Sequence, residues 1–209
     1  MPIRKLILLA FCGLVFQISA GQAGETLESV MLRMKPQTLM KIHYQETRYL
    51  ELLDQPWNGS GYFYAMPDGM VKEQWYPQRE IMATKGSKMY YFDPFADVRY
   101  QGEMDGGSGI QAIAFKGLMN GDLSLLQQYF QTDFVSTDND WKIILSTTNK
   151  DLAEQISKIV ISGIPSKPAN KIEVLLSDGD RHVFQLKKQA EGTPLENKVT
   201  QLFEELQGR

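Results

Sequence analysis

Few side chains in this sequence are suited to nucleophilic or metal-dependent catalysis. The histidines are His43 and His182, and the single cysteine is Cys12. Neither histidine lies in a metal-binding or hydrolase motif such as HxxxH or GxSxG, and a lone cysteine cannot form a CxxC pair. Isolated histidines predict sites weakly, so we expect surface or pairing roles for both. The sequence therefore predicts no catalytic residue, no metal site and no cofactor, and the protein is not expected to be an enzyme.

Three charged residues could instead act in ligand binding. Glu46 and Arg48 share one face of a predicted strand with apolar residues, and Lys72 lies on a later strand. On one interpretation these side chains line a cavity and contact a polar head group. On the other, they pair with one another or a bulge turns them to solvent, because an uncompensated buried charge is strongly destabilising. Both interpretations remain open at the level of sequence.

The glycine-rich run Gly106-Gly107-Ser108-Gly109 has the composition of an anion-binding turn before a helix. It lacks a GKS/T or GxGxxG arrangement, so we interpret it as a hinge for the helix that follows.

The formal net charge of the whole chain is −3, and no basic patch or stripe is visible. Nucleic-acid binding is therefore not expected.

The N-terminal segment predicts export. Arg4 and Lys5 precede an apolar run over residues 6–16, and the small-residue sequence Ala-Gly-Gln-Ala ends at Ala23. An uncleaved anchor is the alternative, but the run is shorter than the ~20 residues that span a bilayer. We predict a signal peptide over residues 1–23, with cleavage after Ala20 as the alternative, and a single domain over 24–209 in the periplasm. Cys12 would leave with the signal peptide, so no disulfide is expected.

Alternation of side chains predicts a large antiparallel sheet. Period-2 spacing from Thr38 to Leu53 places Ile42 and Tyr44 on the face of the charged pair. Between Gly61 and Tyr100, aromatic runs are cut by Pro-Asp-Gly and Asp-Pro-Phe turns, which is the pattern of a hairpin meander. Further strands are predicted over residues 141–147, 155–162, 171–177 and 181–186.

Helical spacing replaces this alternation in three regions. Residues 25–35 form an amphipathic segment that ends at Pro36, and residues 110–118 and 123–130 form a helical pair inserted between strands. Pro194 lies in the first turn of a C-terminal helix. Together the elements predict an α+β fold.

Several of these features resemble the periplasmic outer-membrane lipoprotein carriers (LolA) and their relatives. They are the Gly61-x-Phe63 strand, the basic position at Lys72, the block from Tyr91 to Phe95, the Gly121-Asp122 pair after a short apolar helix, and the late strand over 156–163. The resemblance covers most of the chain after the signal peptide. Family members carry an arginine where this chain has Lys72, and Glu46 and Arg48 add charges to the first strand, so a divergent member is indicated.

The resemblance implies an open, incomplete antiparallel β-barrel with helices covering its concave face and an apolar cavity for acyl chains. Residues expected to line the cavity or its lid are Ile42, Tyr44, Tyr62, Tyr64, Met70, Tyr91, Ile110, Ile113 and Leu118. By the same resemblance, Glu46, Arg48 and Lys72 are candidates for a polar latch that holds the lid. The implied partners are a lipoprotein or lipid-like amphiphile, an inner-membrane releasing complex and an outer-membrane acceptor. A monomer is expected.

The expected function is thus a periplasmic carrier that moves an amphiphile towards the outer membrane. The alternative is a periplasmic lipid or lipoprotein sensor that regulates a membrane partner. A lipid-processing enzyme is disfavoured, because the sequence lacks a nucleophile and base in a recognisable motif.

Overall fold

The structure, a computed structural model, describes residues 25–104, 109–147 and 153–209. The predicted signal peptide and residues 106–108 of the predicted hinge lie outside the described residues. Cleavage after Ala23 and the hinge therefore stay predictions.

Eleven strands form one antiparallel sheet in the described residues, and the sheet is not closed. The spatial order is β6-β5-β4-β3-β2-β1-β11-β10-β9-β8-β7, so β6 and β7 are the edges. This confirms the predicted open antiparallel barrel. The strands are β1 Met40–Tyr49, β2 Trp57–Met66, β3 Gly69–Tyr76, β4 Glu80–Lys85, β5 Lys88–Asp93, β6 Val98–Glu103, β7 Phe130–Ser136, β8 Trp141–Thr147, β9 Ile156–Gly163, β10 Lys171–Leu176 and β11 Arg181–Glu191.

The described residues contain four α-helices: α1 Leu27–Met34, α2 Ile110–Met119, α3 Leu123–Tyr129 and α4 Glu196–Gln207. In the capping box of α1, Thr26 Oγ1 accepts from the Ser29 backbone N–H and Ser29 Oγ accepts from the Thr26 N–H. Asp122 caps α3 in a similar way by accepting from the Leu125 N–H at 2.9 Å.

The topology explains why helices lie on the concave face. The first six strands run outward to one edge, and the next strand, β7, lies at the opposite edge. The connection through α2 and α3 links these two edges. Residues of α1, α2 and α3 share one hydrophobic core with Tyr44, Phe63 and Phe184 of the sheet.

The fourth helix packs on the other face of the sheet. Val199, Leu202 and Leu206 of α4 form a second core with Tyr64 and Val71. The two faces follow from strand alternation, since Tyr44 and Glu46 are buried towards α2 while the intervening Gln45 is exposed.

The end of the helical pair differs from the sequence prediction. Helix α3 ends at Tyr129, and residues 130–136 form edge strand β7, which had not been predicted. Burial alternates along this strand, with Phe130, Thr132 and Phe134 on the more buried face, but the face contains only two large apolar residues and gave a weak sequence signal. Among the described residues, no helix has both the length and the apolar character needed to cross a bilayer.

Candidate functional site

The candidate site is a groove between α2 and the adjacent central strands β1 and β11, here called the central groove. Antiparallel pairing places Ile42 opposite Lys188, Tyr44 opposite Leu186, Glu46 opposite Phe184 and Arg48 opposite His182. Positions 42, 44, 46 and 48 of β1 share the concave face. The groove thus changes from apolar to charged along these strands.

At its apolar end the central groove contains a cavity of about 300 Å³. Helices α1 and α2, strands β1 and β11, and the loop before β10 line it. Its lining is mainly aliphatic and methionine side chains, with two cations: Arg33, Met34, Met40, Ile42, Leu118, Met119, Pro168, Ala169, Leu186 and Lys188. Arg33 pairs with Glu25, and Lys188 pairs with Glu191, so both cations already have a carboxylate partner.

At its charged end the groove contains a polar pocket of about 190 Å³. The N-terminal half of α2 covers it, and strands β1, β3, β4, β5 and β11 contribute its walls. The lining residues are Glu46, Arg48, Lys72, Gln74, Glu80, Met82, Tyr91, Gln111, Ala112, Phe115, His182 and Phe184. Of the residues that the structure describes, none lines both this pocket and the apolar cavity.

Four aromatic side chains separate the two spaces. Phe115 of α2 stacks on Phe63 with ring centroids 5.5 Å apart and meets Phe184 edge-on at 5.0 Å. Tyr44 lies 4.8 Å from Phe63 and 5.9 Å from Phe184. These four rings, here called the aromatic partition, are all 4% exposed or less.

Glu46 is the centre of a buried ion cluster next to the partition. Its side chain is 1% exposed and accepts from Arg48 Nε at 2.6 Å and from Lys72 Nζ at 3.1 Å. His182 Nδ1 lies 3.8 Å from the same carboxylate. Lys72 Nζ is also 5.1 Å from the centre of the Tyr44 ring, and the Arg48 guanidinium lies 4.0 Å from the Trp57 ring.

The cluster sets the protonation of its members. Burial acts to raise the pKa of Glu46, but Lys72 and Arg48 together outweigh it and hold that pKa below the usual value. Burial first, and then the positive charge of Arg48, lower the pKa of His182. At neutral pH the cluster therefore contains a carboxylate and a neutral imidazole.

The polar pocket also contains two acceptors, on Glu80 and Gln74, for which the described residues provide no partner. Glu80 is half-buried and takes part in no ion pair among the described residues. Gln74 donates from Nε2 to the Gln78 carbonyl at 3.1 Å, while its buried Oε1 has no hydrogen-bond partner in the described chain. Burial first, and then the nearby carboxylate of Glu80, raise the pKa of Tyr91.

The structure divides the predicted site residues among several places. Ile42 and Leu118 line the apolar cavity, whereas Tyr91, Glu46, Arg48 and Lys72 line the polar pocket. The remaining residues on the concave side are buried in cores: Tyr44, Met70 and Ile110 in the main one, and Ile113 with Met89 and Met104 in a smaller one.

Tyr62 and Tyr64 do not lie on the concave face, although the sequence analysis placed them there. They alternate with Phe63, which points towards α2, and they pack in the core beneath α4. The aromatic run Tyr-Phe-Tyr leaves the inward residue undetermined, because a one-residue change of register exchanges the faces. Lys72, opposite Phe63 in the hairpin, is consistent with this assignment.

Many residues that line the polar pocket and the apolar cavity were not identified from the sequence. Glu80, Gln74 and Phe115 carry no motif, and the β11 residues Phe184 and Leu186 were recognised only as part of a strand. Their association depends on β11 pairing with β1, a contact between distant parts of the chain. The period-2 spacing of Phe184 and Leu186 was the available signal in the sequence.

The described residues contain no group of three or more His, Cys, Asp or Glu side chains that could hold a metal ion.

No family model matches the chain, and no curated protein matches it.

Solved structures do match. A LolA superfamily protein from Nitrosomonas europaea is 11% identical, with 80% of this chain and 93% of that chain covered and a TM-score of 0.44. A putative outer membrane lipoprotein-sorting protein domain from Vibrio parahaemolyticus is 9% identical, with 84% and 96% covered and a TM-score of 0.47. The Mycobacterium tuberculosis lipoprotein LppX is 11% identical, with 80% and 97% covered and a TM-score of 0.39. Likeness at this level transfers no ligand or activity, so function has to be inferred from the residues of the site.

Proposed function

We propose that the protein is a non-catalytic, extracytoplasmic carrier that binds an acyl chain of a lipoprotein or lipid-like amphiphile in the apolar cavity. The single observation that carries this proposal is the cavity of about 300 Å³ between α1, α2, β1 and β11, with its aliphatic and methionine lining. The carrier domain is residues 24–209, and the protein works in the periplasm after removal of residues 1–23.

The size and chemistry of the cavity favour one acyl chain. Small-molecule sites span roughly 300 to 1,000 Å³, so this cavity is at the lower end of that range. Each buried methylene contributes about 0.8 kcal/mol, and a chain of moderate length therefore binds well without any polar contact. Met34, Met40 and Met119 in the lining have flexible side chains that adapt to an irregular guest.

Movement of the covering helices would widen the cavity for loading and release. Helices α1 and α2 form one wall of the cavity, and the strands of the sheet form the other. The sheet carries a continuous hydrogen-bonded ladder, so displacement of the helices is the less costly way to open the cavity. A carrier of this kind would receive its cargo from an inner-membrane releasing complex and deliver it to an outer-membrane acceptor.

Displacement of a fluorescent fatty acid tests the proposal. Ile42→Glu places a carboxylate in the cavity and should weaken probe binding by tenfold or more, because the charge must be desolvated when the chain binds. Gln45→Glu is the matched control, since Gln45 is exposed on the opposite face of the same strand. It should bind the probe like the wild type.

A second variant separates loss of the cavity from loss of the fold. Leu186→Trp fills the cavity without adding charge and should also weaken binding, while thermal melting reports whether each variant is folded. Wild-type affinity in folded Ile42→Glu and Leu186→Trp proteins, or no probe binding by the wild type, would refute the proposed function.

A further inference from the structure

We propose that the ligand is a single-chain amphiphile with a zwitterionic head group, a phosphate and an ammonium together, whose head occupies the polar pocket while its chain occupies the apolar cavity. This rests on the proposed function and adds the substrate class to it. The observation behind it is that both spaces lie in one groove, on the same two strands and under the same helix.

The charges of the polar pocket match a head group that carries both a positive and a negative charge. Its lining contains two carboxylates, Glu46 and Glu80, and two cations, Arg48 and Lys72. A purely anionic head would meet the unpaired carboxylate of Glu80, and a purely cationic head would meet Lys72 and Arg48. A head group that is neutral as a whole but carries separate charges avoids both repulsions.

The acceptors of the ammonium are on β3 and β4. Gln74 and Glu80 are directly opposite each other in the ladder of these strands. The buried Gln74 Oε1 has no partner in the described chain, and Glu80 forms no ion pair there. An unsatisfied buried acceptor is destabilising, so a ligand N–H that satisfies it adds to binding.

The donors for the phosphate are Lys72 and Arg48. Lys72 Nζ has three N–H groups, and Glu46 takes one of them at 3.1 Å. Arg48 lines the pocket and uses Nε for Glu46, so Glu46 does not engage the two terminal nitrogens of its guanidinium. The ion pairs with Glu46 hold both cations in place before the ligand arrives.

The aromatic partition is thin enough for one molecule to extend across it. On α2, Phe115 borders the polar pocket, and Leu118 borders the apolar cavity less than one helical turn later. On β1, Ile42 and Glu46 are four residues apart, which corresponds to about 14 Å along a strand. Displacement of the Phe115 ring would join the two spaces under α2.

Two lysophospholipids with the same acyl chain test the inference. Lysophosphatidylethanolamine has the zwitterionic head, and lysophosphatidylglycerol has an anionic head of similar size. In displacement of a fluorescent fatty acid, below the micellar concentration of each lipid, we expect the ethanolamine lipid to bind about tenfold more tightly, the effect of one charge-assisted hydrogen bond.

Glu80→Gln then identifies the residue responsible. It should weaken binding of the ethanolamine lipid and strengthen binding of the glycerol lipid, so that their ratio falls below about threefold. Glu103→Gln is the control, because Glu103 is an exposed carboxylate on edge strand β6. It should keep the wild-type ratio.

The possible outcomes separate the two proposals. Equal binding of the two lipids to the wild type, or an unchanged ratio in Glu80→Gln, would overturn the head-group assignment while the acyl-chain carrier stands. Failure of both lipids and of plain fatty acids to displace the probe would instead overturn the carrier function.

Discussion

At the scale of single residues, Glu46 is the most constrained charge on the concave face. It is 1% exposed and bonded to both Arg48 and Lys72. The two interpretations left open by the sequence are therefore compatible, because the three residues pair with one another and also line the polar pocket.

Removal of this carboxylate should be costly. Glu46→Gln leaves Lys72 and Arg48 close together without their counter-charge, and we expect the free energy of unfolding to fall by about 3–5 kcal/mol. Urea unfolding measures this. Glu173→Gln is the control, since Glu173 pairs with Lys171 and Arg181 near the surface and should cost about 1 kcal/mol or less. A similar fall in the free energy of unfolding in both variants would show that the buried ion pairs of Glu46 stabilise the fold no more than surface ion pairs do.

His182 should make stability depend on pH. Its pKa is lowered in the folded protein, first by burial and then by Arg48, so the unfolded chain binds more protons just below the usual pKa of 6.5. Stability contributed by the neutral imidazole is present above that value and is lost as the pH falls towards the folded pKa. The contribution of Glu46, whose pKa is also lowered, is lost only below about 4.5.

Melting temperatures between about pH 7 and pH 5 test this assignment. The wild type should lose stability over this interval, and His182→Gln should lose less, because glutamine does not titrate. His43→Gln is the control, since His43 lies next to Tyr62 on the opposite face of the sheet and should keep the wild-type slope. An identical slope in the His182→Gln protein would contradict the assignment.

At the scale of elements, Gly121 fixes how α1 meets the end of α2. Its φ of +60° is in the left-handed region, and an added Cβ would lie 2.3 Å from the Met31 carbonyl oxygen of α1. Gly121→Ala should therefore displace α1, lower the melting temperature and weaken fatty-acid binding, because Met34 of α1 lines the apolar cavity.

Gly86 provides a matched comparison for this effect. It has nearly the same φ, +59°, but an added Cβ would have no neighbour within 4 Å. Gly86→Ala should show only the backbone cost of about 1–2 kcal/mol and normal binding. If the two alanine variants have equal stability and equal affinity for the probe, the contact between Gly121 and α1 does not shape the cavity.

The elements were predictable to different degrees. Strand β1 could be predicted because Tyr44 and Glu46 alternate with polar residues, and the β5–β6 turn because Asp93 accepts from the Phe95 and Ala96 N–H groups. Strand β7 could not be predicted, since its residues are mostly solvent-accessible. The face of Tyr62 and Tyr64 could not be assigned either, because a run of three aromatics gives no alternation.

At the scale of the whole molecule, the charge balance of the polar pocket depends on contacts that are distant in sequence. β1 pairs with β11, and the connection between β6 and β7 places α2 over both. Glu46 could be selected from the sequence because it interrupts an apolar face, and Lys72 because it matches the basic position of the family that the chain resembles. Glu80 and His182 could not be selected from the sequence, because they reach the pocket only when β4 and β11 pair with their neighbours in the sheet.

The fourth helix stabilises the fold from the face opposite the groove. Glu73 of β3 is fully buried and accepts from Lys198 of α4 and from Arg79, both at 3.0 Å. Leu202 packs in the same region and is fully buried. Helix α4 thus packs against one face of the sheet. Helices α1 and α2 border the groove on the other face.

The most direct test of the acyl-chain carrier uses the methionine methyl groups as NMR reporters during titration with a fatty acid. Met34, Met40 and Met119 line the apolar cavity, whereas Met66 packs on the opposite face beneath α4. We expect the three cavity signals to shift and saturate at one equivalent of fatty acid while the Met66 signal stays in place. Unchanged signals from all three cavity methionines at saturating fatty acid, or an equal shift of Met66, would contradict the proposed function.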